Sequence, residues 1–145
     1  MSESAIDIPD GFRLCVVRSD FPRALGPFFE RRDPDRGRTM RVRVQAPHCN
    51  ALGTAHGGFM LTVMDFAMSY GSYEAGDFPP GVTLSLTTNF LRPAPMDAWL
   101  EARVVVERVT KSALFSRCLL FAGDEPVASA QGVFKPVPLA PDPAL

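Results

Sequence analysis

The 145-residue chain is poor in the residues that build covalent or metal frameworks. It has three cysteines, Cys15, Cys49 and Cys118, widely spaced and with no CxxC pair. That excludes a disulfide framework or a zinc ribbon and suits a reducing compartment. It has two histidines, His48 and His56, and no acidic cluster. A catalytic metal site is therefore not expected. Excess charge is also missing. Fifteen basic and sixteen acidic residues leave a formal net charge of -1, which argues against a nucleic-acid partner held through its phosphates. No long hydrophobic run is present. The most apolar segment, residues 57–71, falls short of the ~20 residues that span a bilayer and contains Asp65. The start, MSESAIDIPDG, has neither a basic n-region nor an apolar h-region. No signal peptide and no membrane partner are expected, and the reading is a soluble, cytoplasmic domain.

What is present is ordinary globular material. Hydrophobic residues make up 46% and charged residues 21%, with eleven phenylalanines, too much apolar surface for a disordered chain. The length fits one domain. Four of the fourteen prolines fall in the last ten residues, so residues 137–145 read as an extended tail. Residues 1–20 read as a partly ordered extension and 21–136 as the domain. Within it, a short helical turn is expected at 21–25 and strands at 28–31 and 39–45. Residues 57–75 are rich in helix formers, lack proline and stop near Gly76 and Pro79-Pro80, which predicts the one long helix. Period-two segments follow at 82–91, 99–109, 113–121 and 127–134. In the first of these, Val82, Leu84 and Leu86 alternate with Thr83, Ser85 and Thr87. Short turns between consecutive strands require antiparallel pairing, so the fold class is α+β, one sheet with one main helix. Phe59, Met60, Leu61, Val63, Met64, Phe66, Ala67, Met68 and Tyr70 cover nearly the whole circumference of that helix. A helix apolar all round is buried all round. One sheet covers one side, so a second copy of the chain is expected over the other.

Asp65 is the sharpest anomaly. It is the only Asp, Glu, Lys or Arg between Arg43 and Glu74, and it sits mid-helix. A carboxylate there either caps a loop or faces water, or stands in a dry cleft as a general base or nucleophile. His56-Gly57-Gly58 opens the same helix. Free N–H groups at a helix N-terminus suit a developing oxyanion, and glycine lets a ligand approach the backbone. An ordinary helix start with a capping histidine explains the same triplet.

The segment His48-Cys49-Asn50-Ala51-Leu52-Gly53-Thr54-Ala55-His56-Gly57-Gly58, followed by Asp65, resembles the signature of hotdog-fold acyl-CoA thioesterases of the phenylacetate-pathway (PaaI-like) group. In that pattern an Asn precedes HGG by six residues and an acid follows the His by nine, as Asn50, His56 and Asp65 do here. The resemblance extends over roughly residues 27 to 135 and includes the strand opening Gly81-Val82-Thr83. It implies one long central helix wrapped by an antiparallel sheet, hydrolysis of an acyl-CoA, and no cofactor beyond the coenzyme A of the substrate. It further implies that Asp65 is the general base or nucleophile and that the Gly57 N–H polarises the thioester carbonyl. Asn50 and His56 would orient the reacting groups, and Thr83 would help hold water. Thr83 is equally a β-former in a strand.

Gly57 and Asp65 stand eight residues apart, about 12 Å along a helix. One thioester carbon cannot touch both within a chain, so the reaction needs Gly57 of one subunit and Asp65 of another, in a homodimer or homotetramer. The acyl group would meet Gly58, Phe59 and Met60. Arg31, Arg32, Arg36, Arg38, Arg41 and Arg43 form a basic run that reads as a solvated edge or as a contact for coenzyme A phosphates. Lys111 and Arg92 are further phosphate candidates; Thr110 stands where related thioesterases carry a glycine before the basic residue. Cys49 reads as inert packing and His48 as a loop residue. Two other functions fit the residues. One is a hotdog dehydratase or hydratase pairing His56 with Asp65. The other is an acyl-CoA-binding module without catalysis.

Overall fold

The computed structural model describes residues 6–34, 37–74 and 81–137. The first five residues, the helix stop around Gly76 and Pro79-Pro80, and the tail from residue 138 lie outside them. The elements run β1 (Arg13–Leu14), α1 (Asp20–Leu25), β2 (Phe28–Asp33), β3 (Gly37–Arg43), a 3-10 turn (Ala46–His48), α2 (Gly57–Glu74), β4 (Gly81–Phe90), β5 (Trp99–Val109), β6 (Leu114–Ala122) and β7 (Glu125–Pro136). The seven strands form one antiparallel sheet in the order β1-β2-β3-β5-β6-β7-β4. After β3 the chain runs through α2 and joins the opposite edge as β4. The helix thereby packs against β3, β4, β5, β6 and β7, which is the hotdog arrangement. None of the helices among the described residues is long and apolar enough to cross a membrane.

The sheet face toward α2 explains the pairing register. On β6, Leu114, Ser116, Cys118 and Leu120 are buried and alternate with exposed residues. Their β7 partners are Phe134, Gly132, Ala130 and Ala128, mostly small, so the helix approaches closely there. Met68 reaches that contact, its Cε 3.2 Å from where a Gly132 Cβ would stand, and Val63, Met64 and Met68 are fully buried, each worth roughly 1.5–3 kcal/mol of apolar burial. Phe66 meets Phe28 edge-on with ring centroids 5.0 Å apart.

As expected from a single sheet, the chain covers one side of the helix and leaves part of the other open. Gly58 is exposed and Leu61, Thr62, Asp65 and Ser69 are partly open, a stripe at helical spacing on the side away from the sheet centre. The strand expected at 82–91 forms as β4, but the strict alternation of its faces does not hold. Val82 and Leu84 are exposed at 50% and 59%, whereas Leu86 packs against the core. The cause is a register shift: Thr83 pairs with Phe134 and Ser85 with Val133. Leu84 is thus an extra residue, a β-bulge. With it, Thr83 and Leu86 face α2 together, although an odd spacing would otherwise separate them.

Two arginines of the basic run, Arg38 and Arg41, pair with buried acids, and Arg36 lies outside the described residues. Glu30 is held by Arg13 and by Arg38, whose Nη1 lies 2.6 Å away. Glu101 accepts from Arg41 Nε at 2.7 Å and from Arg103 Nε at 2.8 Å. Burial pushes the Glu101 carboxyl up, but the two guanidiniums outweigh it and hold it below the ordinary value. Arg43 lies 3.4 Å from Asp97. Arg31 and Arg41 sit over the Phe12 ring at 4.8 and 4.5 Å.

Candidate active site

Asp65 lies on the open stripe of α2, and its Oδ1 accepts a hydrogen bond from Thr83 Oγ1 at 2.6 Å. The distance is that of a short hydroxyl–carboxylate bond. The β4 bulge aims Thr83 there. The neighbouring hydroxyls on the stripe turn elsewhere: Thr62 donates to the Gly58 carbonyl at 2.8 Å and Ser69 to the Asp65 carbonyl at 3.0 Å. Both satisfy themselves on the helix backbone, which leaves Asp65 and Thr83 as the acid–hydroxyl pair. The pair borders a cavity of about 490 Å³ lined by α1 (Phe21, Pro22, with Ser19 before it), α2 (Leu61, Thr62, Asp65, Phe66, Ser69) and β4 (Thr83, Leu86). Apolar and polar side chains line it together, as in small-molecule sites.

The helix N-terminus is built by His56. Its carbonyl accepts from Met60 N at 3.0 Å, and its Nδ1 accepts from Gly58 N at 2.9 Å. His56 is therefore the N-cap, with Gly57 in the first helical position. Among the described residues no acceptor takes the Gly57 N–H. The Phe90 ring lies over this glycine, 3.3 Å from where a Cβ would stand.

Asn50 organises the loop before the helix. Its Oδ1 accepts from Leu52 N at 2.9 Å and Thr54 N at 3.2 Å, and its Nδ2 donates to Thr54 Oγ1 at 3.0 Å. These bonds close an Asx turn. His48 is not the loop residue that the sequence suggests. It is buried, its ring stacks on Phe59 with centroids 3.9 Å apart, and its Nδ1 accepts from Gln45 N at 3.0 Å. Burial lowers its pKa from the ordinary value, partly offset by a hydrogen bond to the Arg43 backbone.

The remaining candidates separate from the acid–hydroxyl pair. Phe59 and Met60 are buried in the core of their own chain at 6% and 4% exposure, and neither lines the Asp65 cavity. Arg92 is paired with Glu125 at 2.7 Å. Lys111 is exposed at the β5–β6 turn, where Thr110 Oγ1 accepts from Ala113 N at 3.0 Å and so replaces glycine as the turn former. Cys49 donates to the Gln45 carbonyl at 3.5 Å, and burial pushes the Cys118 thiol up to about 12. No group of three metal-ligating side chains occurs among the described residues. Sequence reasoning missed Ser19, Phe21 and Pro22 as a cavity wall.

Residues 52–129 match the Thioesterase superfamily. A Pseudomonas aeruginosa protein provisionally named an esterase, PA0474, is 35% identical over 130 residues, which cover 89% of this chain and 97% of that protein. Among solved structures, the TT0310 protein of Thermus thermophilus superposes with a TM-score of 0.71 at 30% identity, covering 83% of this chain and all of that one. An N33D mutant of the phenylacetic acid degradation protein PaaI from the same organism gives 0.70 at 29% identity, covering 81% and 98%. The chain belongs to the Thioesterase superfamily, as a thioester hydrolase with the hotdog fold.

Proposed function

We propose that the chain hydrolyses an acyl-CoA to a carboxylic acid and free coenzyme A, with Asp65 as the catalytic carboxylate. The observation that carries this is the Asp65–Thr83 pair, set by a β-bulge at the edge of a partly apolar cavity. The acyl group occupies that cavity. The thioester oxygen lies against the Gly57 N–H, which has no protein acceptor among the described residues and stands at the positive end of α2. Asp65 takes a proton from water, and the water oxygen bonds to the thioester carbon. The carbonyl pair moves onto oxygen, then returns as the C–S bond breaks, and the thiolate leaves with the proton that Asp65 holds. Direct attack by the carboxylate, followed by hydrolysis of the acyl intermediate, gives the same products. Thr83 holds Asp65 in place, while His56 and Asn50 fix the helix start and its loop.

The site is shared between two copies in this reading. Three features support it: the ~12 Å between Gly57 and Asp65 along one helix, the open stripe on α2, and β4 itself. That strand pairs only with β7 among the described residues and exposes Val82, Leu84 and Phe90. No separate cofactor is needed, and the location is cytoplasmic. The domain proper is 21–136, with β1 an extension tied onto it.

The test is thiol release from a panel of acyl-CoAs by the wild type, Asp65→Asn and Asp65→Ala. The expected loss is about 10²–10⁴-fold in kcat with unchanged circular dichroism. Full activity in folded Asp65→Ala would remove the assignment.

A further inference from the structure

The family match begins at residue 52, yet one wall of the Asp65 cavity comes from Ser19, Phe21 and Pro22, upstream of it. We propose that Phe21 on α1 sets the length of the acyl group that the cavity accepts; this rests on Asp65 being the hydrolytic acid.

The backbone under Phe21 is fixed while its ring is not packed. Pro22 beside it is buried. Arg23 holds α1 to the segment that leads into it, with Nη1 2.8 Å from Asp20 Oδ1 and Nη2 donating to the Val17 carbonyl at 3.1 Å. The segment before α1 is fastened to α2 by the Val16 N–H, which donates to Tyr70 Oη at 3.3 Å, and to β2 by the β1 pairing. On this anchored turn the Phe21 side chain remains 67% exposed. A phenyl group held at a cavity edge without its own packing loses nothing by moving against a ligand and gains apolar burial when it does. The Phe21 ring lines the same cavity as Asp65 and Thr83, which mark the reacting end, and as Leu61, Phe66 and Leu86, which supply apolar surface beside the hydroxyls of Thr62 and Ser69. Phe21 is the large apolar side chain that the α1 wall brings to this cavity, so in this assignment a longer acyl chain meets its ring. Its exposure also means that truncation leaves the chain's own core intact.

The experiment measures kcat/KM over a straight-chain acyl-CoA series from acetyl to palmitoyl for wild type, Phe21→Ala and Phe21→Trp. Binding of the same series to each protein in an Asp65→Asn background is measured by calorimetry. With Phe21→Ala the preferred chain lengthens by about three carbons, with a gain of about fourfold for each methylene newly admitted. With Phe21→Trp it shortens. Unchanged length profiles in both folded variants would overturn the assignment of Phe21. A wild type that hydrolyses none of the series removes straight-chain acyl-CoAs as substrates instead, and the binding profiles then decide Phe21 alone.

Discussion

Two polar side chains, Asp65 and His48, carry opposite assignments at the residue scale. Asp65 is legible because a carboxylate within an apolar helix has no local reason to be there. The resemblance singles out Thr83 as well, but its bond to Asp65 is not legible, since Thr83 lies eighteen residues away and reaches the carboxylate only through a bulge that no period marks. His48 is the converse case. Its stacking on Phe59 and its bond to the Gln45 N–H are tertiary facts, invisible in a loop of mixed composition. Burial favours its neutral form, so the unfolded chain binds the extra proton first. Stability due to His48 is complete above the ordinary value of 6.5 and falls as the pH drops through it toward the lowered folded value. Glu101, also lowered, acts further down: its contribution holds above its ordinary 4.5 and is lost as pH falls through its folded value. Urea midpoints from pH 7.5 to 5 are therefore expected to decline for the wild type and to decline less for His48→Gln. Parallel curves for the two proteins would show that His48 protonation is not coupled to folding.

Single positions become a site through the elements that hold them. The long helix and the four later strands can be read in the sequence because their periods run over enough residues for noise to average out. β1 has two residues and carries no period, and the wall formed by α1 depends on where a six-residue helix docks. The alternation expected along β4 breaks for a definite reason: one inserted residue changes the facing of everything before it. β7 supplies the complementary constraint. Gly132 pairs with Leu86 on the helix side, and a Cβ there would stand 2.6 Å from Phe134 Cε2 and 3.2 Å from Met68 Cε. The Phe134 ring occupies the space that a side chain would take, and both it and Met68 are fully buried, so neither yields easily. Gly132→Ala is expected to destabilise by about 1–3 kcal/mol, read as a lower urea midpoint at unchanged slope. An unchanged midpoint would mean that the β7–α2 contact has slack.

Across the whole molecule, the proposed reaction draws on two points of one helix: a carboxylate with its cavity near the middle and, at the start, the Gly57 N–H, which meets no acceptor among the described residues. Either the two points act together across two copies or one of them is idle. Gly57→Pro separates these outcomes, because proline is well tolerated at the first helical position and removes only the N–H. The ring that it would crowd, Phe90, is 52% exposed and has room to move. Asp65→Ala and Gly57→Pro chains are each expected to be nearly inactive alone. Co-expressed with different tags and purified as hybrids, they place an unaltered Asp65 opposite an unaltered Gly57 at one site and both changes at the other. A hybrid dimer is then expected to regain about half of the wild-type rate, while mixing the two without subunit exchange restores none. If the hybrids are as silent as their parents, each chain works alone, and the open stripe on α2 has some other occupant than its twin.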